Sequence, residues 1–329
     1  MGILGSLRQY GIEINGDDIS IPSLNKAVGR GKTYYIDGTH GSATASGRSP
    51  RKAVLTLAQA LAKVTDSNND TIRLIAETTA VDQAGALTWD KNLTHLIGEG
   101  SLGVWNQRSR IGQSVAATPW ITVSGYGNSF QNIYFMHGKA ATDVVGIYLT
   151  GARNTFQRCH FLPGLATAMD DAAYRLVSVN NSEQTFRDCF FGGDGAIMSN
   201  GALLQLGKTG DGGPPRAYFE NCTFFMKSDA AGVAFIDCAL GGLGTGWGIF
   251  KGCTFLNLGT SLTYGILGDG LNNYKLFFDL DCTFAGVTDI VADAYIGSVY
   301  CGGVNTAINQ VNTASSRLFN MIATCPDES

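Results

Sequence analysis

Charged residues are scarce in this chain. Asp, Glu, Lys and Arg make up 15% of its 329 residues, against about a quarter in a typical soluble protein. The net charge of −4 leaves no basic surface on which nucleic acid would bind. A surface so poor in charge suits a chain that buries its exterior against other subunits. It equally suits a rigid solenoid with many tight corners, which the 43 glycines would serve.

Several sequence features are absent. No apolar run approaches the ~18 residues that a membrane-spanning helix needs. Residues 1–8 lack the basic-then-apolar order of a signal peptide. The 8 cysteines include no Cys-x-x-Cys pair, which argues against a zinc ribbon. We therefore expect buried free thiols and assembly in a reducing cytoplasm. Whether Cys238, Cys301 or Cys325 form a pair stays open.

One hexapeptide recurs, of the form Phe-x-(Asn/Asp/Gly/Arg)-Cys-x-Phe. Its copies occupy 156–161, 186–191, 219–224 and 250–255, an earlier copy at 130–135 carries Ile133 in place of Cys, and a later one at 278–284 has one extra residue before Cys282. The central positions are 133, 159, 189, 222, 253 and 282. A drifting period of roughly 30 residues is typical of solenoids.

The repeat has a physical interpretation. Its third position holds Asn132, Arg158, Asp188, Asn221 and Gly252, and four of these five are residue types that adopt positive φ cheaply. A one-residue corner between two strands needs such a residue. Cys and Phe then lie two apart, on the same face of a strand. Because both are apolar, that face is inward.

The sequence therefore predicts an all-β fold, a right-handed parallel β-helix of about eight coils with Cys and Phe ladders inside. An antiparallel sandwich also has many short strands and Gly-rich turns. It does not require the same corner chemistry every thirty residues or so, and we expect it less.

The repeat also suggests domain boundaries. Residues 1–32 match no coil and are interpreted as an N-terminal arm or short hairpin. The β-helix is expected over 33–303, followed by a polar C-terminal tail at 304–329. An amphipathic helix near 50–64 would cover the open end of the solenoid.

The pattern also predicts two local features. Ser49 as N-cap and Pro50 at the first helical position are expected to start the capping helix. Asn92 is expected to form the corner of the first coil.

The opening of the coil region resembles a known family. Five segments in succession look like the start of pectate-lyase-like right-handed β-helix proteins. They are the run 34–38, a Gly/Ser loop, Ser49-Pro50-Arg51-Lys52-Ala53, 57–61 and 70–74. They are similar in particular to β-helix structural proteins of tailed bacteriophages, such as capsid decoration proteins and tailspikes. The resemblance covers about residues 33–75, and the coil pattern covers 120–284. It implies the fold, while proteins of this architecture have many functions.

Carboxylates are the first candidates for chemistry, because glycoside hydrolysis uses paired acids. The acids considered are Asp170, Asp171, Asp194, Asp211, Asp229, Asp269, Asp279 and Asp281. None recurs at the same repeat position, so no acidic ladder is expected. Asp279 and Asp281 would share a strand face, but we expect them to ring a corner or face solvent.

Other candidates are weaker. The histidines at 40, 95, 137 and 160 are scattered, and His160 is expected to point outward. The segment 241–246 resembles a phosphate-binding loop only in its glycine count. Trp105, Tyr126 and Trp247 could stack on sugars or anchor an interface. The expectation is therefore no catalytic, cofactor-binding or metal-binding residue.

These observations favour a non-catalytic virion structural protein of a tailed phage, not an enzyme. A capsid decoration or cement protein is preferred over a tailspike, because the arm is short and no catalytic cluster is visible. The expected partners are two further copies in a homotrimer and the major capsid protein or another virion protein, with a surface glycan as a further partner. Neither nucleic acid nor membrane is expected. The alternatives are a tailspike-like polysaccharide depolymerase, hydrolase or lyase, and a glycan-binding adhesin.

Overall fold

A computed structural model shows how the repeats are arranged. It describes residues 13–15, 18–20, 31–100, 103, 107, 109–138, 144–163, 168–207, 215–238, 246–260, 262–267, 274–291 and 299–301. The one α-helix among them is α1 (Leu57–Lys63), and short 3-10 helices occupy Pro50–Lys52 and Ala168–Asp170.

The rest of the regular structure consists of short strands. In chain order they are β1 (Glu13–Asn15), β2 (Asp18–Ser20), β3 (Thr33–Ile36), β4 (Thr71–Leu74), β5 (Val81–Asp82), β6 (Leu87–Trp89), β7 (His95–Gly98), β8 (Arg110–Gly112), β9 (Ile121–Val123), β10 (Ser129–Gln131), β11 (Tyr134–His137), β12 (Val145–Leu149), β13 (Thr155–Gln157), β14 (His160–Pro163), β15 (Arg175–Val179), β16 (Gln184–Arg187), β17 (Phe190–Ile197), β18 (Gly201–Leu206), β19 (Arg216–Glu220), β20 (Thr223–Lys227), β21 (Val233–Cys238), β22 (Gly246–Lys251), β23 (Thr254–Asn257), β24 (Leu262–Leu267), β25 (Tyr274–Phe278), β26 (Thr283–Ala285), β27 (Val287–Val291) and β28 (Val299–Cys301).

Beyond the small β1–β2 hairpin, the strands form three parallel sheets. Sheet I has ten strands in the order β28-β25-β22-β19-β16-β13-β10-β7-β4-β3, sheet II has eight from β26 to β5, and sheet III has eight from β27 to β6. The chain visits sheets I, II and III in turn, as in β10, β11 and β12, and returns to sheet I beside its previous strand. The predicted parallel β-helix is confirmed, and the antiparallel sandwich is wrong, because the three sheets are parallel.

The hexapeptide repeat forms the corner between sheets I and II. The residues at its third position, Asn132, Arg158, Asp188, Asn221 and Gly252, have φ values of 51° to 59°. This left-handed conformation turns the chain within one residue, as predicted. Even Arg158 adopts it, although arginine has no special preference for positive φ.

Two phenylalanine columns fill the interior on either side of this corner. Phe156 and Phe186 in sheet I stack with ring centroids 5.0 Å apart, and Phe191 and Phe224 in sheet II stack at 4.5 Å. The ladder cysteines lie between the columns as buried free thiols. The Cys159 Sγ donates to the Phe130 carbonyl oxygen of the previous coil at 3.3 Å. A small, weakly polar side chain thus fits at the corner without leaving an unsatisfied group.

A second corner, between sheets III and I, was not anticipated. Positive φ recurs there at Asn69, Leu93, Gly127, Arg153 and Glu183. These residues share no side-chain chemistry, which is why the sequence pattern does not reveal them. The prediction that Asn92 forms the first corner is wrong by one residue, since Leu93 has φ of 48°. Asn92 instead accepts a hydrogen bond from the Tyr126 N–H at 3.0 Å.

Buried amide side chains hold this second corner together. The Asn128 Oδ1 accepts from the Thr94 N–H at 2.8 Å, and the Asn154 Oδ1 accepts from the Asn128 N–H at 3.0 Å. The Gln184 Nε2 donates to the Gly151 carbonyl at 2.6 Å. Because successive coils satisfy one another's backbone groups, the corner needs side-chain amides more than a fixed corner residue.

The capping helix is shorter than predicted. α1 begins only after Thr56, which forms a reciprocal capping box with Gln59. Ser49 makes no capping hydrogen bond, and Pro50 starts only a 3-10 turn. The intervening chain is extended, and Val54 bridges to Ile36. A strand contact therefore interrupts the helix that the pattern placed over 50–64, while Leu57, Ala60 and Leu61 are buried as expected.

The proposed domain boundaries remain predictions. Within residues 1–32, β1 and β2 form an antiparallel hairpin, which agrees with one of the two interpretations of the arm. The tail at 304–329 and Cys325 lie outside the described residues. Among the residues that are described, no helix is long and apolar enough to cross a membrane.

Candidate functional site

The outer face of sheet III carries polar side chains that the repeat does not require. In β15 the residues Leu176 and Val177 are both buried, so the alternation of faces is interrupted between them. As a result Arg175, before the interruption, and Ser178, after it, both lie on the outer face.

A row of side chains runs across this face from coil to coil. Register pairs Tyr148 with Ser178, Ser178 with Gln205, and Gln205 with Asp237. Neighbouring members are therefore about 4.8 Å apart along the solenoid axis. The Ser178 Oγ donates to the Gln205 Oε1 at 2.8 Å, and the Asn180 Nδ2 donates to the Tyr148 Oη at 2.6 Å. We call Tyr148, Arg175, Ser178, Gln205 and Asp237 the sheet III site.

Arg175 and Asp237 form an ion pair across two coils. An Arg175 Nη donates to the Asp237 Oδ2. The side chains are 14% and 13% exposed, so solvent screens this pair less than an exposed one. The other Nη of Arg175 donates to the carbonyl oxygens of Ala172 at 2.8 Å and Tyr174 at 2.6 Å. The guanidinium is thus anchored to the backbone and holds the carboxylate in one place.

Several polar atoms of the site have no partner among the described residues. These are the buried Arg175 Nε, the Gln205 Nε2 and the Asp237 Oδ1. The Oδ1 of the oriented Asp237 carboxylate and the Gln205 amide N–H groups therefore remain available, whereas the Arg175 Nε is buried. Such a pair can take a proton with the carboxylate and stabilise developing negative charge with the amide N–H groups.

Cys238 follows Asp237 but is not part of this chemistry. It is fully buried on the inner side of β21. Burial, and then the charge of Asp237, raises the pKa of the Cys238 thiol well above its usual value. The thiol therefore stays protonated.

The acids singled out from the sequence do not come together. Asp170, Asp171, Asp194, Asp229 and Asp281 are exposed, and Asp211 and Asp269 lie outside the described residues. Asp279 is half-buried, and its Oδ1 accepts from the Gly252 N–H at 3.0 Å and the Asp281 N–H at 3.2 Å. The interpretation of Asp279 as a corner residue agrees with these contacts.

His160 points outward as expected, but it is buried by its neighbours. It lies on the outer face of sheet II, where it stacks on Tyr134 at 4.4 Å and its Nε2 contacts the Gly192 carbonyl oxygen at 3.0 Å. Burial lowers the pKa of His160 to about 4. Gly192 belongs to β17, one coil further along the solenoid. The repeat pattern could not indicate that this strand would bury His160.

His95 and His137 are also buried. Burial lowers the pKa of His95, whose Nδ1 lies 2.8 Å from the Ser129 Oγ. His137 packs between the rings of Trp120 and Tyr174. Both are accounted for by packing.

One group of possible metal ligands occurs near the N-terminal end of the solenoid. Single donor atoms of Asp37, His40 and Glu77 lie within 4.8 Å of one another. The Asp37 Oδ1 already accepts from the Thr39 and His40 backbone N–H groups, and the His40 side chain is 74% exposed. These contacts describe a turn held by an aspartate.

The remaining candidates are on surfaces. Tyr126 is 55% exposed and Trp247 is half-buried on the outer face of sheet I. Trp105 and 241–245 lie outside the described residues. Sequence reasoning missed Arg175, Gln205 and Asp237, although Gln205 and Asp237 each interrupt an apolar strand and could have been noticed on that basis.

Comparison with known proteins agrees with the fold. No family model and no curated protein matches the chain. Pectin methylesterase from Aspergillus niger in deglycosylated form is similar over 90% of this chain and 96% of that chain, with 15% identity and a TM-score of 0.53. The same enzyme in penultimately deglycosylated form is similar over 91% and 97%, with 13% identity and a TM-score of 0.50.

A phage protein is also among the similar structures. ORF18 of Geobacillus virus E2 matches 82% of this chain and 64% of that chain, with 10% identity and a TM-score of 0.33. A likeness this distant carries no argument about function. The fold of the chain is that of the pectate-lyase-like parallel β-helix proteins, as the resemblance implied.

The expectation that the chain is not an enzyme is corrected. The two solved structures with TM-scores of 0.53 and 0.50 are both of one enzyme with the same fold. The expectation was drawn from acids that do not cluster. It took no account of Asp237, which the structure places next to Arg175 and Gln205.

Proposed function

We propose that the chain is a polysaccharide-processing enzyme whose active site is the sheet III site, and that it hydrolyses an ester carried by a sugar chain. The observation that carries the proposal is the Arg175–Asp237 pair beside the Gln205 amide. Asp237 accepts the proton of the attacking water through its Oδ1, and returns it to the alcohol oxygen as the ester C–O bond breaks, while Arg175 keeps the carboxylate oriented. The Gln205 Nε2 donates to the carbonyl oxygen as it becomes negative.

Ester hydrolysis fits this site better than glycosidic cleavage. Glycosidases pair two carboxyl groups about 5 to 9.5 Å apart. By strand register, the nearest other described acid on this face is Asp289 in β27. Asp289 is level with Tyr264 in β24 and with Ala234 in β21, the strand that carries Asp237. It lies two coils and three residues from Asp237, more than about 10 Å away at ordinary strand spacing. The name of the structurally similar pectin methylesterase is in line with the ester class.

The test is an activity assay on esterified polysaccharides. Wild type and Asp237→Asn are incubated with methyl-esterified and with acetylated sugar polymers, and released methanol or acetate is measured. Asp237→Asn should lower the rate by about 100-fold or more, the usual effect of removing a general base. Asp289→Asn, a half-buried acid on the same sheet, is the matched control and should retain activity.

Two results would change the proposal. Release of reducing ends without loss of esters would indicate a depolymerase, the glycosidase or lyase alternative. Equal activity of Asp237→Asn and wild type would remove the sheet III site from the mechanism altogether.

We further propose that this enzyme is carried on a tailed-phage particle as a homotrimer, as a tailspike would be. The support is the resemblance of residues 33–75 to phage β-helix proteins and the low charge of the flanks. The preference for a capsid decoration protein rested on the short arm and on the lack of a catalytic cluster, and the proposed active site at sheet III speaks against the second of these reasons. Sedimentation of purified protein tests the trimer, and a sedimenting monomer would exclude it.

The N-terminal arm is the proposed link to another virion protein. Segments that order on binding can wrap a partner's surface. Deleting residues 2–30 should leave a folded β-helix that no longer co-sediments with phage particles. Unchanged co-sedimentation would place the attachment surface elsewhere.

A further inference from the structure

The outer face of sheet I changes character along the solenoid. At its N-terminal end, one row holds small polar residues and a histidine, namely Thr33, Thr71, His95, Ser129, Thr155 and Thr185. From β19 onward the same row continues as Tyr218, Ile249, Phe277 and Tyr300. With Trp247 of the neighbouring row, these four residues form what we call the aromatic face.

The aromatic face is apolar and reaches solvent. Phe277 is 42% exposed, and Tyr218, Trp247 and Ile249 are half-buried. The rings of Phe277 and Tyr300 stack at 5.1 Å. Since the inner side of the same strands already holds the phenylalanine columns, the outer aromatics are not needed to fill the core.

Cations border this face. Arg216 and Lys275 flank Trp247 in its row, Lys251 lies beyond Ile249, and Arg187 lies two coils before Lys251 in the same row. The acids there are occupied: Glu220 pairs with Arg187 at 3.0 Å, and Asp279 holds its corner. Four cations against these two acids leave a local charge of +2 in a chain of net charge −4.

Arg216 and Lys251 form no ion pair with any described carboxylate. The Lys275 Nζ lies over the Tyr300 ring, 5.9 Å from its centroid. An apolar strip bordered by cations fits a ligand with apolar C–H surfaces and regularly spaced negative charges.

We propose that the aromatic face binds an acidic polysaccharide, a carboxylated sugar chain lying across the strands of sheet I. Sugar C–H groups pack on Trp247, Phe277 and Tyr300, while carboxylates pair with Arg216 and Lys251. The proposal rests on the proposed function for its substrate class, and it assigns a holding surface separate from the sheet III site. A second copy of the chain fits less well, because a like-to-like contact would bring two positive faces together.

The test measures binding in the Asp237→Asn background, so that the polymer is not processed. Polygalacturonate is the acidic probe and dextran the neutral one, with retardation in affinity electrophoresis as the readout. The double variant Arg216→Gln, Lys251→Gln and the single variant Phe277→Ala should each bind polygalacturonate about tenfold or more weakly, a loss of about 1.4 kcal/mol. Dextran should not retard any of them.

A charge-matched control completes the experiment. Lys91→Gln with Arg153→Gln also removes two positive charges, from the corner between sheets III and I, and should leave binding unchanged. An equal loss in this control, or equal retardation by dextran, would overturn the inference. So would a Phe277→Ala variant that binds normally but loses oligomer mass in sedimentation, since the face would then join copies.

The two proposals fail separately. If binding depends on Arg216 and Lys251 but wild type releases no ester, the proposed enzymatic function is wrong and the proposed role of the aromatic face stands. Ester release that is unaffected in the aromatic-face variants, together with unchanged binding, would do the reverse. Thermal unfolding of each variant confirms that it is folded.

Discussion

The corner between sheets I and II and the outer face of sheet III are built on opposite principles. At the corner, successive coils from residue 156 to residue 255 present the same residues: Phe156, Cys159 and Phe161 recur one coil on as Phe186, Cys189 and Phe191. On the outer face of sheet III, each coil presents something different, such as Ser178, Gln205 and Asp237. Repetition specifies the solenoid, and the departure from repetition specifies the site.

The difference has a physical cause. Inside the solenoid each side chain stacks on its counterpart one coil away, so identical rings pack well and any change leaves a cavity or a clash. Outside, the same register places unlike groups side by side at strand spacing. Three coils thereby contribute a hydroxyl, an amide and a carboxylate to one small area.

The strongest test of this contrast truncates neighbouring phenylalanines on opposite faces of β20. Phe224 is fully buried, and Phe224→Ala should lower the free energy of unfolding by about 3–5 kcal/mol. Phe225 is half-buried on the outer side, and Phe225→Ala should cost about 1 kcal/mol from lost apolar area alone. Denaturant titration measures both, and equal midpoints would show that the columns are not the core.

The sequence was sufficient to predict the repeated corner and the inward-facing ladders, but it was not sufficient to predict the site on the outer face of sheet III. Cys159 and Phe161 reveal their direction by recurring, so the corner and its ladders could be read directly. Asp237 occurs once. Asp237 pairs with Arg175, which lies 62 residues earlier in the chain. The two residues meet because the lengths of the intervening coils place them on strands two coils apart. Those lengths depend on loops that vary from coil to coil.

His160 tests whether an outer-face residue can behave as part of the interior. Its pKa is lowered to about 4 by burial, so between about pH 6.5 and 4 the unfolded chain binds a proton that the folded chain does not. This contribution to stability is present above pH 6.5 and is lost as the pH falls, by about 3 kcal/mol in all.

The variant His160→Gln isolates that effect. Its free energy of unfolding should fall less steeply than that of wild type between pH 7 and 4. The pH dependence that remains in the variant includes the contribution of His95, because burial lowers the pKa of that residue as well. Parallel curves for the two proteins would mean that His160 is protonated in the folded state.

The corner residue itself is the next test. Asn221 has φ of 53°, and a β-branched residue there is strained, so Asn221→Val should cost about 1–2 kcal/mol. Asn221→Gly is the matched control, because Gly252 occupies the same corner position one coil on with φ of 59°. The control should change stability by only a few tenths of a kcal/mol. If both variants lose the same amount, the loss comes from the Asn side chain and not from its backbone.

The corner of the last repeat also shows where reading the sequence was limited. The extra residue before Cys282 was visible, but its purpose was not. In the structure Asp279 supplies the acceptor for the Gly252 N–H, so the insertion replaces a backbone contact with a carboxylate. A side chain that compensates for a broken repeat cannot be inferred from the intact copies.

The smallest expected effect therefore concerns Asp279 and Asp281, the pair that the sequence made the best acidic candidate. Asp279→Ala removes the acceptor of two backbone N–H groups and of the Cys282 thiol, and should cost about 1 kcal/mol. Asp281→Asn, at an exposed position, should leave stability unchanged. Neither change should alter ester hydrolysis, because both residues belong to the repeating corner and not to the face that varies. Loss of hydrolysis in Asp281→Asn with stability intact would move the active site to the corner and reverse the assignment of the two regions.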